Sequence, residues 1–264
     1  MRTVYAMTAL TTLRRVSKRD QVIWMRPEGA TKGRPPAYTR SQIAQVAIAV
    51  ADAEGLAAVS VRRVTREIGA GTMSLYRYIR SKEELFALMA DEVTSEQPPD
   101  GPGEPTAPRA WQQQLRELAI GARALVLQHP WLPIVLSSTR LPGPRLLQGT
   151  ESALAVLDGL GLTVAESMEI IGTVMALATG TALNEIGMNG RMPGIGPRDD
   201  TAEDSADTEY LKVLLTEDGY PRQHQLMTSG ALDTLDPDAV YERSVDRLIA
   251  GIEAAVLHIA TPAT

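Results

Sequence analysis

At 264 residues, with 44% hydrophobic and 22% charged residues, the chain has material for one large domain or two small ones. It contains no cysteine, which excludes disulfides, thiolate metal sites and cysteine nucleophiles and fits a reducing compartment. The net charge of −6 is unevenly spread: residues 1–90 hold 15 Lys+Arg against 7 Asp+Glu and the remainder 11 against 25, so a basic first third sits on an acidic body.

Residues 1–38 read as a basic extension, with Arg14, Arg15, Lys18, Arg19, Arg26, Lys32 and Arg34. Met7, Leu10, Leu13 and Val16 permit a helical turn or two, and Pro27, Gly29, Gly33, Pro35 and Pro36 then break any regular element. The extension is either an arm that touches phosphates or a minor groove, or a tail without structure of its own. Its first 20 residues lack the sustained apolar stretch of a secretory signal. No apolar run in the chain reaches the roughly 18 residues of a membrane span, so a cytoplasmic protein is expected.

From Thr39 to Leu85 the pattern is that of short helices. Thr39 or Ser41 caps a helix to about Glu54, with Ile43, Val46, Ala47 and Val50 as its buried stripe and Gly55 as its stop. Ser60 caps a second, with Val61, Val64 and Ile68 inward and Arg62, Arg63 and Arg66 on a solvated face. Gly69-Ala70-Gly71 frees the backbone for a turn, and Thr72 caps a third helix to Ile79. Two helices joined by a Gly-containing turn of about three residues are the sequence form of a helix-turn-helix, whose second helix enters a DNA major groove. Ser81, with Glu84 three residues on, is a capping box opening a helix that carries Leu85, Leu88, Met89 and Val93 to about Glu96.

The twelve residues Gln97–Pro108 contain five prolines and two glycines and mark a boundary or connecting loop. Beyond them Trp111, Leu115, Leu118, Ala122, Leu125 and Val126 define a long amphipathic helix ending at His129-Pro130, followed by a turn over 131–138. Pro144 suits the first turn of a helix extending to Leu160. Val164 to Met188 keeps one face apolar for about six turns through Val164, Met168, Ile171, Met175, Ala178, Ala182 and Ile186, while Gly172, Thr173, Ala176, Thr179, Gly180 and Thr181 make its other faces small. A Gly-, Pro- and Asp-rich loop over 187–207, a short helix around 210–214 and a last helix from Asp236 or Asp238 to about Ile259 complete the chain. No run of strands is visible, so the expected class is all-α.

The stretch SVRRVTREIGAGTMSLYRYIRSKEEL resembles the DNA-binding domain of the tetracycline-repressor (TetR-type) family of bacterial regulators. Its arginine-bearing second helix, Gly-x-Gly turn, Leu75-Tyr76 pair and Ser81–Leu85 tail carry the match. His129-Pro130-Trp131-Leu132 and the ending DPDAVYERSVDRLIAGIEAAV resemble the C-terminal domain of the tetracycline-repressor subgroup. The chain departs from the pattern at Tyr78, where histidine is frequent, and at Ile79, often phenylalanine. The resemblance implies a helix-turn-helix domain over 39–85 and a helical effector-binding and dimerisation domain over 86–264. It implies a base-reading role for Arg62, which can bond guanine bidentately. It also places Thr72, Met73 and Tyr76 on the recognition helix, with Ser74 among the DNA-binding positions; Tyr76 could instead be a buried tyrosine. Ser60, Val61, Arg77, Tyr78 and Lys82 fall where the family contacts phosphates.

One helix-turn-helix reads too few base pairs for useful specificity, so a homodimer on a palindromic duplex operator is the physical expectation. The apolar faces of 164–188 and 238–259 are the candidates for its interface, or else plain core. A ligand-responsive regulator, most readily a repressor, is the functional reading, with an unidentified small-molecule effector enclosed by 109–128, 144–160 and 164–188. Trp111, His129, Trp131, Met168, Met175 and Asn184 are the candidate lining, each also eligible for a structural role. Neither the ligand nor the metal of the namesake maps onto this sequence, and no cofactor is expected. His129, His224 and His258 show no metal-ligand spacing, and no phosphate loop or nucleophile elbow occurs, so an enzyme is not expected. The alternatives are an architectural DNA-binding protein without effector and an all-α enzyme whose site assembles from scattered residues.

Overall fold

The computed structural model describes residues 22–27, 38–69, 75–94, 110–188, 209–211, 213–216, 219–231 and 234–260, with side chains to Val256. It is all-α, with no strand among the described residues. The expected loop over 97–108, residues 189–207 of the loop expected over 187–207, the turn residues Ala70 and Gly71, and Thr72, Met73 and Ser74 lie outside them.

The first helix, α1 (Arg40–Glu54), opens with a capping box in which Thr39 Oγ1 accepts from the Gln42 N–H at 3.1 Å and Gln42 Oε1 accepts from the Thr39 N–H at 2.9 Å. Gly55, at φ +81°, stops it, and a 3-10 turn at Leu56–Ala58 leads to α2 (Val61–Ile68), capped by the Ser60 hydroxyl. Gly69 takes the left-handed conformation that ends α2 and admits the helix-turn-helix turn. The next helix, α3 (Lys82–Val93), is capped by Ser81, which accepts from the Glu84 N–H at 3.2 Å. The reciprocal half of the expected box is displaced by one residue. Glu84 Oε2 accepts from the N–H of Arg80 at 2.7 Å and also pairs with Arg26.

The body comprises α4 (Trp111–Gln128), α5 (Leu132–Ser138), α6 (Pro144–Ala155), α7 (Val164–Met188), α8 (Pro221–Thr228) and α9 (Pro237–Ala260). Residues 131–138, expected as a turn, hold a seven-residue helix. The helix from Pro144 ends at Ala155 and not at Leu160. The chain there tightens into bonds from Leu157, Asp158 and Leu160 N–H groups to carbonyls three residues back, and leaves through Gly159 and Gly161 at φ +78° and +77°. Helix α8 has no counterpart in the sequence pattern, its stretch PRQHQLMT carrying only Leu226 and Met227 as large apolar residues, and none of its residues is buried. The short helix foreseen near 210–214 is present as helical turns at 209–211 and 213–214.

Two large apolar cores result. The first joins α1, α2, Leu75, Tyr78, Ile79 and α3 to Ile23 from the N-terminal extension and to Trp131, Leu132 and Val135 from the α4–α5 junction. The second joins α4, α6, α7 and α9 around Leu115, Leu157, Ile171, Val174, Tyr241 and Val245. Burying one such Leu, Ile or Val side chain stabilises the fold by about 1.5–3 kcal/mol.

Candidate nucleic-acid interface

Ser60 and Ser81 set the edge of the site because each caps a helix that starts there. The first N–H groups of α2 and α3 have no partner within their helices, and such ends favour anions. Arg62, Tyr76, Arg77 and Lys82 are exposed, Tyr76 to 48%, which removes the buried-tyrosine alternative. Lys82 Nζ lies 5.1 Å from the centroid of the Phe86 ring, on the exposed start of α3.

Two members of the expected set are buried. Tyr78 is 5% exposed and packs in the first core, so its side chain has little surface to offer a phosphate. Val61, 9% exposed, can offer only backbone at the start of α2. Arg63, expected on a solvated face, is instead bound within the domain. Its guanidinium donates to Glu54 through Nη1 at 2.9 Å and Nη2 at 2.7 Å, and to Glu67 through Nε at 2.9 Å. Those carboxylates raise its pKa further and hold α2 against the end of α1. Arg66 does lie on the solvated face, its side chain 70% exposed.

The six candidate effector contacts do not share one lining. Trp111 and Met175 pack at the edge of the body core, and Met168 is partly buried on α7. Asn184 is exposed on α7. His129 and Trp131, 2% and 1% exposed, are buried away from the body core, at the junction with the first core. There His129 Nδ1 and Trp131 Nε1 both donate to Oδ1 of Asp52 on α1, at 2.8 and 2.6 Å. The apolar run that follows His129, with Trp131, Leu132 and Val135, belongs to the first core.

Several further junction residues carried no signal in the sequence. Asp91, buried near the end of α3, caps α6 from outside, accepting from the N–H groups of Arg145 and Leu146 at 2.9 and 3.0 Å. Its neighbour Glu92 accepts from Ser41 Oγ at 2.6 Å and pairs with Arg145. In the body, buried Arg123 joins three helices, donating to Glu185 on α7 at 2.5 Å and to Asp238 on α9 at 2.7 Å. Its guanidinium lies 5.0 Å from the Tyr241 ring, whose hydroxyl donates to the Ala119 carbonyl at 2.7 Å and is pushed up to about 12 by burial. Arg123 falls on the Leu115–Ala119 stripe one turn further on, a position at which a charge signals a buried ion pair. A cavity of about 280 Å³ lies between Val22–Trp24, the start of α3 and Ser138–Leu141, outside the region expected for an effector.

Residues 43–89 match the family described as bacterial regulatory proteins, tetR family, and residues 104–256 match the tetracyclin repressor-like C-terminal domain. The chain belongs to the TetR family. It is 32% identical over 246 residues to the HTH-type transcriptional repressor DrrR1 of Streptomyces coeruleorubidus, covering 91% of this chain and 87% of that protein. An HTH-type transcriptional regulator of Saccharopolyspora erythraea is 26% identical over 237 residues, covering 88% and 91%. Among solved structures, apo ActR from Streptomyces coelicolor superposes with a TM-score of 0.65 at 27% identity, over 86% of this chain and all of that one. ActR bound to actinorhodin gives 0.64 at 28%, over 83% and 98%. The TetR assignment fits the exposed helix-turn-helix edge and the separate helical body, and the relatives are transcriptional regulators.

Proposed function

We propose that this TetR-family protein is a transcriptional repressor that binds a palindromic operator as a homodimer and is released by a small-molecule effector. The observation that carries the DNA half of this reading is the exposed edge of Arg62, Tyr76, Arg77 and Lys82 at the basic end of an acidic chain. Arg62 and Tyr76 are assigned to bases, Arg77 and Lys82 to phosphates, with Ser60 and Val61 contributing through the start of α2. Thr72, Met73 and Ser74 remain assigned to the recognition helix by resemblance alone. Action on DNA puts the protein in the cytoplasm.

The dimer is supported by an uncovered apolar surface. Helix α7 is long and apolar enough to cross a membrane by composition, yet only 28% of its most apolar window is buried. The apolar faces expected at the interface are core instead, through Ile171, Ala178, Val245 and Ile249; the face α7 leaves exposed carries Gly172, Thr173, Ala176 and Gly180, and that of α9 carries Ala250, Gly251, Ala254 and Ala255. Two copies pairing these faces form a four-helix interface in which small side chains let the helices approach closely. A second copy covers the apolar surface without invoking a bilayer.

The effector reading draws on ActR, whose structures hold actinorhodin and (S)-DNPA. Trp111, Met168 and Met175 are retained as candidates on the body side, and a planar aromatic compound such as actinorhodin is the first ligand to try. The test is selection of bound sequences from a random DNA pool, with light scattering of the free protein. Recovery of an inverted repeat by a dimer is the expected result. A monomer at micromolar concentration, or a pool without an inverted repeat, overturns it. For Arg62→Ala we expect relaxed preference at one base position and a loss of about 1–3 kcal/mol on the selected site. For Lys82→Ala we expect weaker binding to all sequences and a salt slope reduced by about one.

A further inference from the structure

Helix α1 is tied to the body directly near its end and through α3 near its start. Near its start, Ser41 Oγ and Gln45 Nε2 donate to Oε1 of Glu92, at 2.6 and 3.4 Å, and Glu92 in turn pairs with Arg145 of α6. In its last turn, Asp52 Oδ1 accepts from His129 Nδ1 and Trp131 Nε1. At the rise of an α-helix, Ser41 and Asp52 lie about 16 Å apart along the axis. A helix held at one point can swing about it; a helix held at two points this far apart has one orientation.

The second attachment is built to be rigid. Its two donors are almost wholly buried, and their rings lie 5.5 Å apart at a 55° tilt. A carboxylate only accepts, so His129 presents its Nδ1 proton to Asp52, and both bonds are charge-assisted. Two residues beyond Asp52, Glu54 grips Arg63 through both Nη atoms, so the orientation of α1 passes directly to α2 and the turn after it. His129 and Trp131 end α4 and precede α5, while Leu115, Ala119 and Ala122 at the other end of α4 sit in the body core.

We propose that Asp52 is a positioning residue: by binding His129 and Trp131 it fixes the angle of the helix-turn-helix on the body, and thereby the half-site spacing that the dimer reads. The second clause rests on the dimeric repressor reading given above; the first does not.

The absence of cysteine gives a clean background for spin labels. Arg66→Cys on α2 and Glu151→Cys on α6, both exposed, place one label on each side of the junction. Doubly labelled chain diluted into excess unlabelled protein reports the distance within one protomer, with or without dimerisation. Asp52→Ala is expected to broaden that distance distribution about twofold while helix content is retained. Trp131→Phe, which removes a single donor and keeps most of the ring, is expected to broaden it less. Asp52→Asn retains an oxygen with two lone pairs and is expected to restore the wild-type width. On inverted repeats with the spacer changed by one base pair, wild type is expected to discriminate at least about tenfold and Asp52→Ala no more than about threefold. A wild-type width in both Asp52→Ala and Trp131→Phe overturns the positioning role, and so does failure of Asp52→Asn to restore it. Altered width with unchanged spacing preference in a proven dimer overturns the second clause. A monomeric protein overturns the dimer reading and the second clause, and the intraprotomer distance still decides the first.

Discussion

Around the helix-turn-helix the core closes over Ile43, Val64, Leu75, Ile79 and Leu85, none of them solvent-exposed, and α1, α2 and α3 each open on a side-chain cap. The body core instead takes in Arg123, held to partners 62 and 115 residues away, and Tyr241, held to a carbonyl 122 residues away. The difference has a functional logic. The DNA-facing unit must keep one internal shape, and caps together with branched apolar side chains supply that. A body that admits a ligand must have helices able to change their relation, and ion pairs between helices fix a particular arrangement while being costly to break singly.

The largest expected effect tests that reading of the body. Arg123→Ala leaves Glu185 partly buried without its cation, removes the tie to Asp238 and opens space beside Tyr241. A loss of about 3 kcal/mol is expected, with hydrogen exchange rising in α4, α7 and α9 before α1 and α2. Equal loosening of both regions would show that the two cores unfold as one unit and that the contrast is only compositional.

The junction comes next. A Cβ on Gly143 would lie 2.1 Å from Asp91 Oδ1, 2.3 Å from its Cγ and 2.7 Å from its Cβ, so rotating the carboxylate away does not make room. Gly143→Ala therefore displaces the base of the Asp91 side chain and breaks its bonds to the Arg145 and Leu146 N–H groups. About 2 kcal/mol is expected, read by chemical denaturation. Gly149→Ala, at a helical glycine whose Cβ would meet nothing within 4 Å, is the matched control and should be neutral or slightly stabilising. In the first region the effect is smaller and local. Ser81→Ala removes the acceptor for the Glu84 N–H and should cost about 1 kcal/mol, a fall of a few degrees in Tm for a domain of this size.

How far the sequence foretold these features follows the same division. Caps act over three residues, so Ser60 and Ser81 could be read directly, as could Gly69 in the turn after α2, while the choice between Thr39 and Ser41 was settled by the structure in favour of Thr39. Asp91 capping α6, Asp52 gripping the α4–α5 junction and Glu84 turning to Arg26 all act across more than fifty residues, and no local pattern encodes them. Side chains with apolar bodies and polar tips were the hardest to place. His129 and Trp131 have the composition of a ligand lining and serve the junction, while Tyr78 has that of a phosphate contact and serves the core. The helix-turn-helix was legible because it is itself a local pattern, and Arg62, Tyr76, Arg77 and Lys82 are exposed on it.

The smallest effect concerns the charge on Asp91. Burial pushes its carboxyl up from the ordinary 3.8, and the N–H bonds from Leu146 and Arg145 pull the other way without cancelling it. The folded state then holds the proton more tightly than the unfolded chain does. This group's contribution consequently falls as pH rises through the interval between 3.8 and the raised value, and stays at its lower level above that interval. Asp91→Asn keeps an oxygen facing the two N–H groups and has no proton to lose. It is expected to remain within about 1 kcal/mol of wild type at neutral pH and to lack the falling slope in a denaturation series across the acidic range. A wild-type stability that instead rises with pH through this interval, relative to Asp91→Asn, would mean that the start of α6 is held by the carboxylate's charge. The junction would then be an electrostatic contact like that of Arg123. The falling slope would mean that shape and hydrogen bonding hold it, as they do the helix-turn-helix.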